Sequence, residues 1–110
     1  LNAKVRNSTA DPFYGAPTVL VVLAEADSSF AVQDGSLVMG NLMNAASAIG
    51  LGSCWINRAK EVFETEEGKA LLKKWGVEGN YVGVGNCILG YADEAPEMKP
   101  RKANYVYYAK

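Results

Sequence analysis

At 110 residues and 49% hydrophobic, the chain can build one core that removes roughly two-thirds of its unfolded surface from water, so residues 1–110 are expected to form a single domain. With 11 Lys and Arg against 12 Asp and Glu, no net field draws it to nucleic acid or to a membrane, and neither is expected as a partner. There is no His, and Cys54 and Cys87 stand alone, which excludes Cys/His zinc sites and His-based nucleophilic machinery and fits a reduced, cytoplasmic setting.

Leu1 to Pro12 is polar and irregular and reads as a connector without a core, belonging to something upstream; Leu1 stands where a native start would carry Met. No signal-peptide pattern opens the chain, and its longest apolar run is too short to span a bilayer. The near-continuous β-branched run of "PTVLVVLAEA" predicts a strand over Thr18 to Ala24, central in its sheet and covered on both faces. The main helix is then expected from an Asp34 N-cap to a stop at Gly50. Its apolar residues run almost all the way round, which predicts a helix buried on every side, against a partner subunit as well as its own core.

"GLGSCWIN", Gly50 to Asn57, admits two readings. In one, glycine ends the helix and the chain runs on extended with Trp55 and Ile56 in the core. In the other, Gly52, Ser53 and Cys54 expose backbone amides beside a flat ligand, with no large side chain before Trp55. The octapeptide fails the dinucleotide fingerprint, because Trp55 replaces the third glycine and a helix precedes it. "FETEEGKA" shares only Gly68 and Lys69 with a phosphate loop.

"RAKEVFETEEGKALLKKWG" predicts a surface helix capped by Thr65, with Ala70, Leu71 and Trp75 inward and Gly76 as its stop. "YVGVGNCILGY" predicts a strand whose alternation puts Tyr81, Gly83, Gly85, Cys87 and Leu89 on one face, the glycines marking a close approach. "ADEAPEMKPRK" reads as a loop. Its cluster Lys99, Arg101 and Lys102 is either a solvated surface or, stiffened by Pro96 and Pro100, a phosphate-binding group led by Arg101. "NYVYYA" is β-prone and reads as a terminal strand. The order of elements predicts an α+β fold with helices packed on a small, mainly antiparallel sheet.

Taken in order, "YGAPTVLVVLAE", "DGSLVMGNLMNAASAIGLGSCWI" and "YVGVGNCILGYADEAPEMKPRK" resemble the C-terminal portion of the nitroreductase family, from about Tyr14 to the end. The resemblance implies a flavoprotein oxidoreductase: a homodimer holding FMN between subunits and passing electrons from NAD(P)H to a small-molecule acceptor, nitroaromatic, quinone or similar. It implies that Gly52, Ser53, Cys54, Trp55, Ile56 and Asn57 lie against the flavin ring and that Arg101, helped by Lys99 or Lys102, meets the FMN phosphate. No residue of the chain is implied as catalytic, since the cofactor carries the chemistry. The helix from Asp34 would be the dimer core, and "NYVYYA" a tail reaching over the partner. The family's N-terminal region has no counterpart here, so the resemblance implies a domain truncated at its N-terminus whose FMN site is empty or weakly occupied. The rival expectation is a non-enzymatic α+β dimerisation module or an inactive fragment.

Overall fold

The computed structural model describes residues 1–6, 8–92 and 96–109. In chain order the elements are α1 (Asn2–Val5), β1 (Thr18–Glu25), α2 (Ala31–Ala48), β2 (Gly52–Ile56), α3 (Ala59–Glu64), α4 (Glu66–Lys74) and β3 (Tyr81–Gly90). The three strands form an antiparallel sheet in the order β1-β3-β2, giving the α+β architecture expected. β3 is therefore the central strand. It pairs with β1 from Thr18↔Leu89 to Glu25↔Tyr81, and with β2 from Gly52↔Gly90 to Ile56↔Asn86.

β1, expected at the centre, is an edge strand. Only Val22 along it is buried, because a covered face needs a helix over it and the strand's outer margin has no neighbour among the described residues. Alternation along β1 still divides the core in two. Val22 joins Met39 and Cys87 under α2, while Val21 and Leu23 pack with Ala59, Val62, Phe63 and Leu72 of α3 and α4. α2 thus lies over one face of the sheet, while α3 and α4 cover the other only at β3 and part of β1.

α2 starts three residues before the expected cap. Phe30 is the N-cap without a side-chain bond, and Asp34 lies inside the first turn, where its charge complements the helix dipole. Its end follows a Schellman pattern: Leu51 N–H donates to Ala46 O at 2.8 Å and Gly50 N–H to Ser47 O at 3.1 Å. Gly50 sits at φ 82°, which a β-carbon would strain. Gly35, Met39 and Ala46 bury one side, whereas Leu37 (73% exposed), Val38, Ala45 and Ala48 are uncovered. The all-round burial expected of this helix is therefore not supplied within one chain; one sheet can cover one stripe.

The charged segment forms two helices, not one. Thr65 is the cap as expected, its Oγ1 accepting from Gly68 N–H at 3.0 Å and donating to Val62 O at 2.6 Å. The break lets α4 fold back so tightly that a β-carbon at Gly68 would collide with Val62 O. Leu72 and Gly68 point inward; Leu71 is half-buried, Ala70 is exposed, and Trp75 is 52% exposed with its ring against Phe63 at 6.2 Å. The inward stripe falls one residue later than expected because α4 starts afresh at Glu66.

The two glycines expected on one face of β3 lie against different elements. Pairing runs Val22↔Gly85 and then Leu23↔Gly83, so Val84 is a bulge that reverses the alternation. Gly83 meets the Ala59 carbonyl of α3, and Gly85 meets the Trp55 indole. The "connector" also gains structure, since Asn2–Val5 is helical, Asn2 is buried and Val5 packs on the α3–α4 core. Lys4 Nζ meets Glu67 Oε1 at 2.7 Å, and its hydrogen bond and charge hold that carboxyl below its ordinary range. This tie is complete above the unfolded carboxylate's range and is lost as pH falls through the lowered value; both groups are exposed, so salt screens it.

Asp93, Glu94 and Ala95 of the expected loop lie outside the described residues. Residues 96–109 have no regular structure, and the strand expected in "NYVYYA" is not formed: Tyr105, Val106, Tyr107 and Tyr108 are all exposed, with no strand among the described residues alongside to pair with.

Two measurements test this core. Met39 is wholly buried, so Met39→Ala is expected to cost about 2–5 kcal/mol in denaturant melts; a loss well below 1 kcal/mol would remove it from the core. Cys54 is exposed, whereas Cys87 is wholly buried and its thiol is pushed up by that burial. Native alkylation followed by peptide mapping should label Cys54 rapidly and Cys87 only after unfolding.

Candidate functional site

The octapeptide follows the reading in which glycine ends the helix and the chain runs on extended, with Trp55 and Ile56 half-buried. Gly50 ends α2, and the chain then runs extended as β2, an edge strand whose other margin has no partner among the described residues. In an antiparallel pair, alternate residues of an edge strand turn their N–H and C=O groups away from the neighbour. Along Gly52–Ile56 no second strand among the described residues takes up those groups.

Gly52, Ser53 and Cys54 line an open groove of about 300 Å³ with Ile88–Tyr91 of β3 and its exit and with Phe13–Pro17. The last segment is a wall that sequence reasoning assigned no role. Asp11 builds it: its carboxylate accepts from Phe13 N–H at 2.9 Å and from Gly15 N–H at 2.7 Å. Tyr14 and Gly15 are left-handed at φ 52° and 71°. The turn signal was present in Asp11, Pro12 and Gly15, but nothing local says which strand the turn faces.

Trp55 leaves this groove. Its indole lies over Gly85, where a β-carbon would come within 2.9 Å of Cε2 and Nε1, and its Nε1 is buried without an acceptor. Ile56 is half-buried in the ladder opposite Asn86. Asn57 is exposed, yet its carbonyl is held from two directions, by Asn2 Nδ2 at 3.0 Å and Asn86 Nδ2 at 3.4 Å. The next residue, Arg58, is left-handed at φ 77°, an uncommon conformation for a residue bearing a β-carbon. Asn57 and Arg58 line a recess of about 370 Å³ with Lys60, Glu61 and Val84.

The predicted ring-contact residues therefore divide along one strand: Gly52 to Cys54 face a groove, Trp55 supports the sheet, and Asn57 opens on a recess beside Arg58. Arg58 lines this recess without having been singled out from the sequence, since "INRA" carries no glycine to announce a left-handed turn. Lys99, Arg101 and Lys102 are exposed. Arg101 and Lys102 line a hollow made with Asn104, Tyr105, Val106 and Tyr108, so the chain does not join its basic cluster to β2. Among the described residues, no three His, Cys, Asp or Glu side chains converge on a metal position, and no helix is long and apolar enough to cross a membrane.

Residues 2–91 match the model of the nitroreductase family. No curated protein matches the chain. Among solved structures it is similar to a nitroreductase with bound FMN from Bacteroides fragilis, with TM-score 0.84 and 28% identity over 97% of this chain and 59% of that one. An FMN-dependent nitroreductase from Clostridium difficile gives 0.75 and 22% over 97% and 67%, and a nitroreductase with bound FMN from Desulfitobacterium hafniense gives 0.78 and 18% over 97% and 58%. The chain spans between 58% and 67% of the length of these structures. With the family model matched over residues 2–91 and this α+β fold shared, the chain belongs to the nitroreductase family.

Proposed function

We propose that the chain is part of an FMN-dependent oxidoreductase that takes reducing equivalents from NAD(P)H and delivers them to a small-molecule acceptor, a nitroaromatic, quinone or similar compound. The observation that carries this reading is the family match over residues 2–91. The FMN-bound Bacteroides fragilis structure supports the choice of cofactor. The exposed thiol of Cys54 supports a reducing, cytoplasmic setting.

The residues present fit the cofactor in two separate parts. The free margin of Gly52–Ile56, continued by Asn57, offers main-chain donors and acceptors along a straight edge, as the polar rim of a flavin requires. Small residues at Gly52, Ser53 and Cys54 leave the approach open. Arg101, with Lys99 and Lys102, supplies a forked donor and two further charges for a phosphate. When bound, FMN supplies the hydride acceptance and electron release that no side chain of this chain can perform. The chain's own residues bind and orient it.

The separation of Arg101 from β2 within one copy, together with the uncovered apolar side of α2, supports a homodimer in which one chain completes the other's site. The exposed tail 104–109 is then available to lie over the partner. The same separation is the observation favouring the rival reading, a dimerisation module that holds no flavin.

FMN titration separates the two readings: quenching of flavin fluorescence and bleaching by NAD(P)H are expected, and protein that cannot be loaded with FMN would leave the rival. Arg101→Ala should weaken FMN by about 1.5–3 kcal/mol, the loss of a charge-assisted contact; unchanged affinity would place Arg101 on the solvated surface. In sedimentation the chain is expected to be dimeric, and Leu37→Asp to shift it toward monomer. A well-folded wild-type monomer at micromolar concentration would remove the dimer from this account.

A further inference from the structure

Asn2 and Asn86 are the buried polar side chains among the described residues, at 5% and 3% exposure. They come from distant places, the first turn of α1 and the middle of β3, yet their amides converge on one acceptor. Asn2 Nδ2 donates to Asn57 O at 3.0 Å, and Asn86 Nδ2 lies 3.4 Å from the same oxygen and 3.3 Å from Ile56 O. A carbonyl has two lone pairs, and here both are taken by side chains. Burying an amide is unfavourable unless its bonds are made, and Asn2 keeps its Oδ1 buried without a partner among the described residues, so the contact to Asn57 is retained against a cost.

The gripped peptide is the link between Asn57 and Arg58, where the chain leaves β2. Arg58 then adopts φ 77°, and its own carbonyl accepts from Val62 N–H at 2.9 Å to open α3. Without glycine at this position, the left-handed turn has to be held from outside. Two donors fixing the preceding carbonyl do this, because they set the orientation of the peptide plane that joins the two residues.

We infer that Asn2 and Asn86 are positioning residues that clamp the Asn57 carbonyl and keep the Asn57–Arg58 turn, and with it the end of the β2 edge, preorganised for the ligand. The inference about the turn stands on the hydrogen bonds alone; the inference about the ligand rests on the FMN reading proposed above. A clamp shared on one oxygen makes the two asparagines interdependent, since losing either releases the same peptide.

The test is a double-mutant cycle of Asn2→Ala and Asn86→Ala in the purified protein, read by amide hydrogen exchange and by FMN titration. Each single substitution should speed exchange across Ile56 to Val62 by about tenfold relative to the buried side of α2, and the pair should add little to the larger single effect. FMN affinity should fall in parallel, by on the order of tenfold. Uniform faster exchange throughout the sheet and α2, or effects of the two that simply multiply, would overturn the clamp and leave two ordinary core amides. If Asn86→Ala does not fold, Asn2→Ala, on the peripheral helix, decides by the same local exchange. Local loosening without a change in FMN affinity would retain the turn and overturn its role toward the ligand; absence of FMN binding by the wild-type protein would sink the cofactor reading while exchange still judges the clamp.

Discussion

The structure depends on β3 being paired along both margins. β1 and β2 each hydrogen-bond to it and to no other described strand, and the two core clusters lie on its two faces. A central strand in this position has to admit close neighbours, and its composition meets that demand. Gly83 lets the backbone of α3 approach and Gly85 lets the Trp55 indole lie flat, while the bulge at Val84 directs the two contacts to different elements. The buried Cys87 fills the space beneath Met39 without a polar group to satisfy.

The candidate site follows from that pairing. Because β2 is held by β3 on one side only, its other margin keeps open backbone groups, and these are what a flat, polar-rimmed ligand can use. The sheet also fixes what lies at each end of the edge: the Asp11-anchored turn and the exit of β3 at Gly52, and the asparagine-held turn at Asn57 and Arg58. The β2 edge is part of a hydrogen-bonded ladder, whereas the basic cluster of residues 99–102 sits outside the sheet in a segment without regular structure. The proposed FMN site, with one component in the sheet and one outside it, needs something to bring the two together. In the proposed homodimer, the uncovered side of α2 would be the surface that does so.

Much of the local structure was legible in the amino acids because it depends on neighbours a few residues away. The β-branched run placed β1, glycine placed the end of α2, Thr65 placed the start of α4, and β3 ends one residue short of the stretch "YVGVGNCILGY" that predicted it. The glycines of β3 announced close approach. Each of these signals works through dihedral freedom, a cap bond or alternation, all of which act within about one turn or one strand.

Only the tertiary structure decided the rest. Whether β1 is central or at the edge depends on which strands lie beside it, and a run of Val and Leu reads the same in both positions. The strand Gly52–Ile56 has five residues and becomes one only because β3 offers a partner. The all-round apolar α2 announced a need for burial, but one sheet can cover one side of a helix, so the remaining face is left for whatever packs there. The turn at Arg58 was invisible because its cause lies far away in sequence: two asparagines, 55 and 29 positions from Asn57, hold its carbonyl. Amino-acid order by itself determined the strands β1 and β3, the end of α2, the start of α4 and the family; the register, the edge and the grip on the Asn57–Arg58 turn came from contacts between distant segments, which no local pattern encodes.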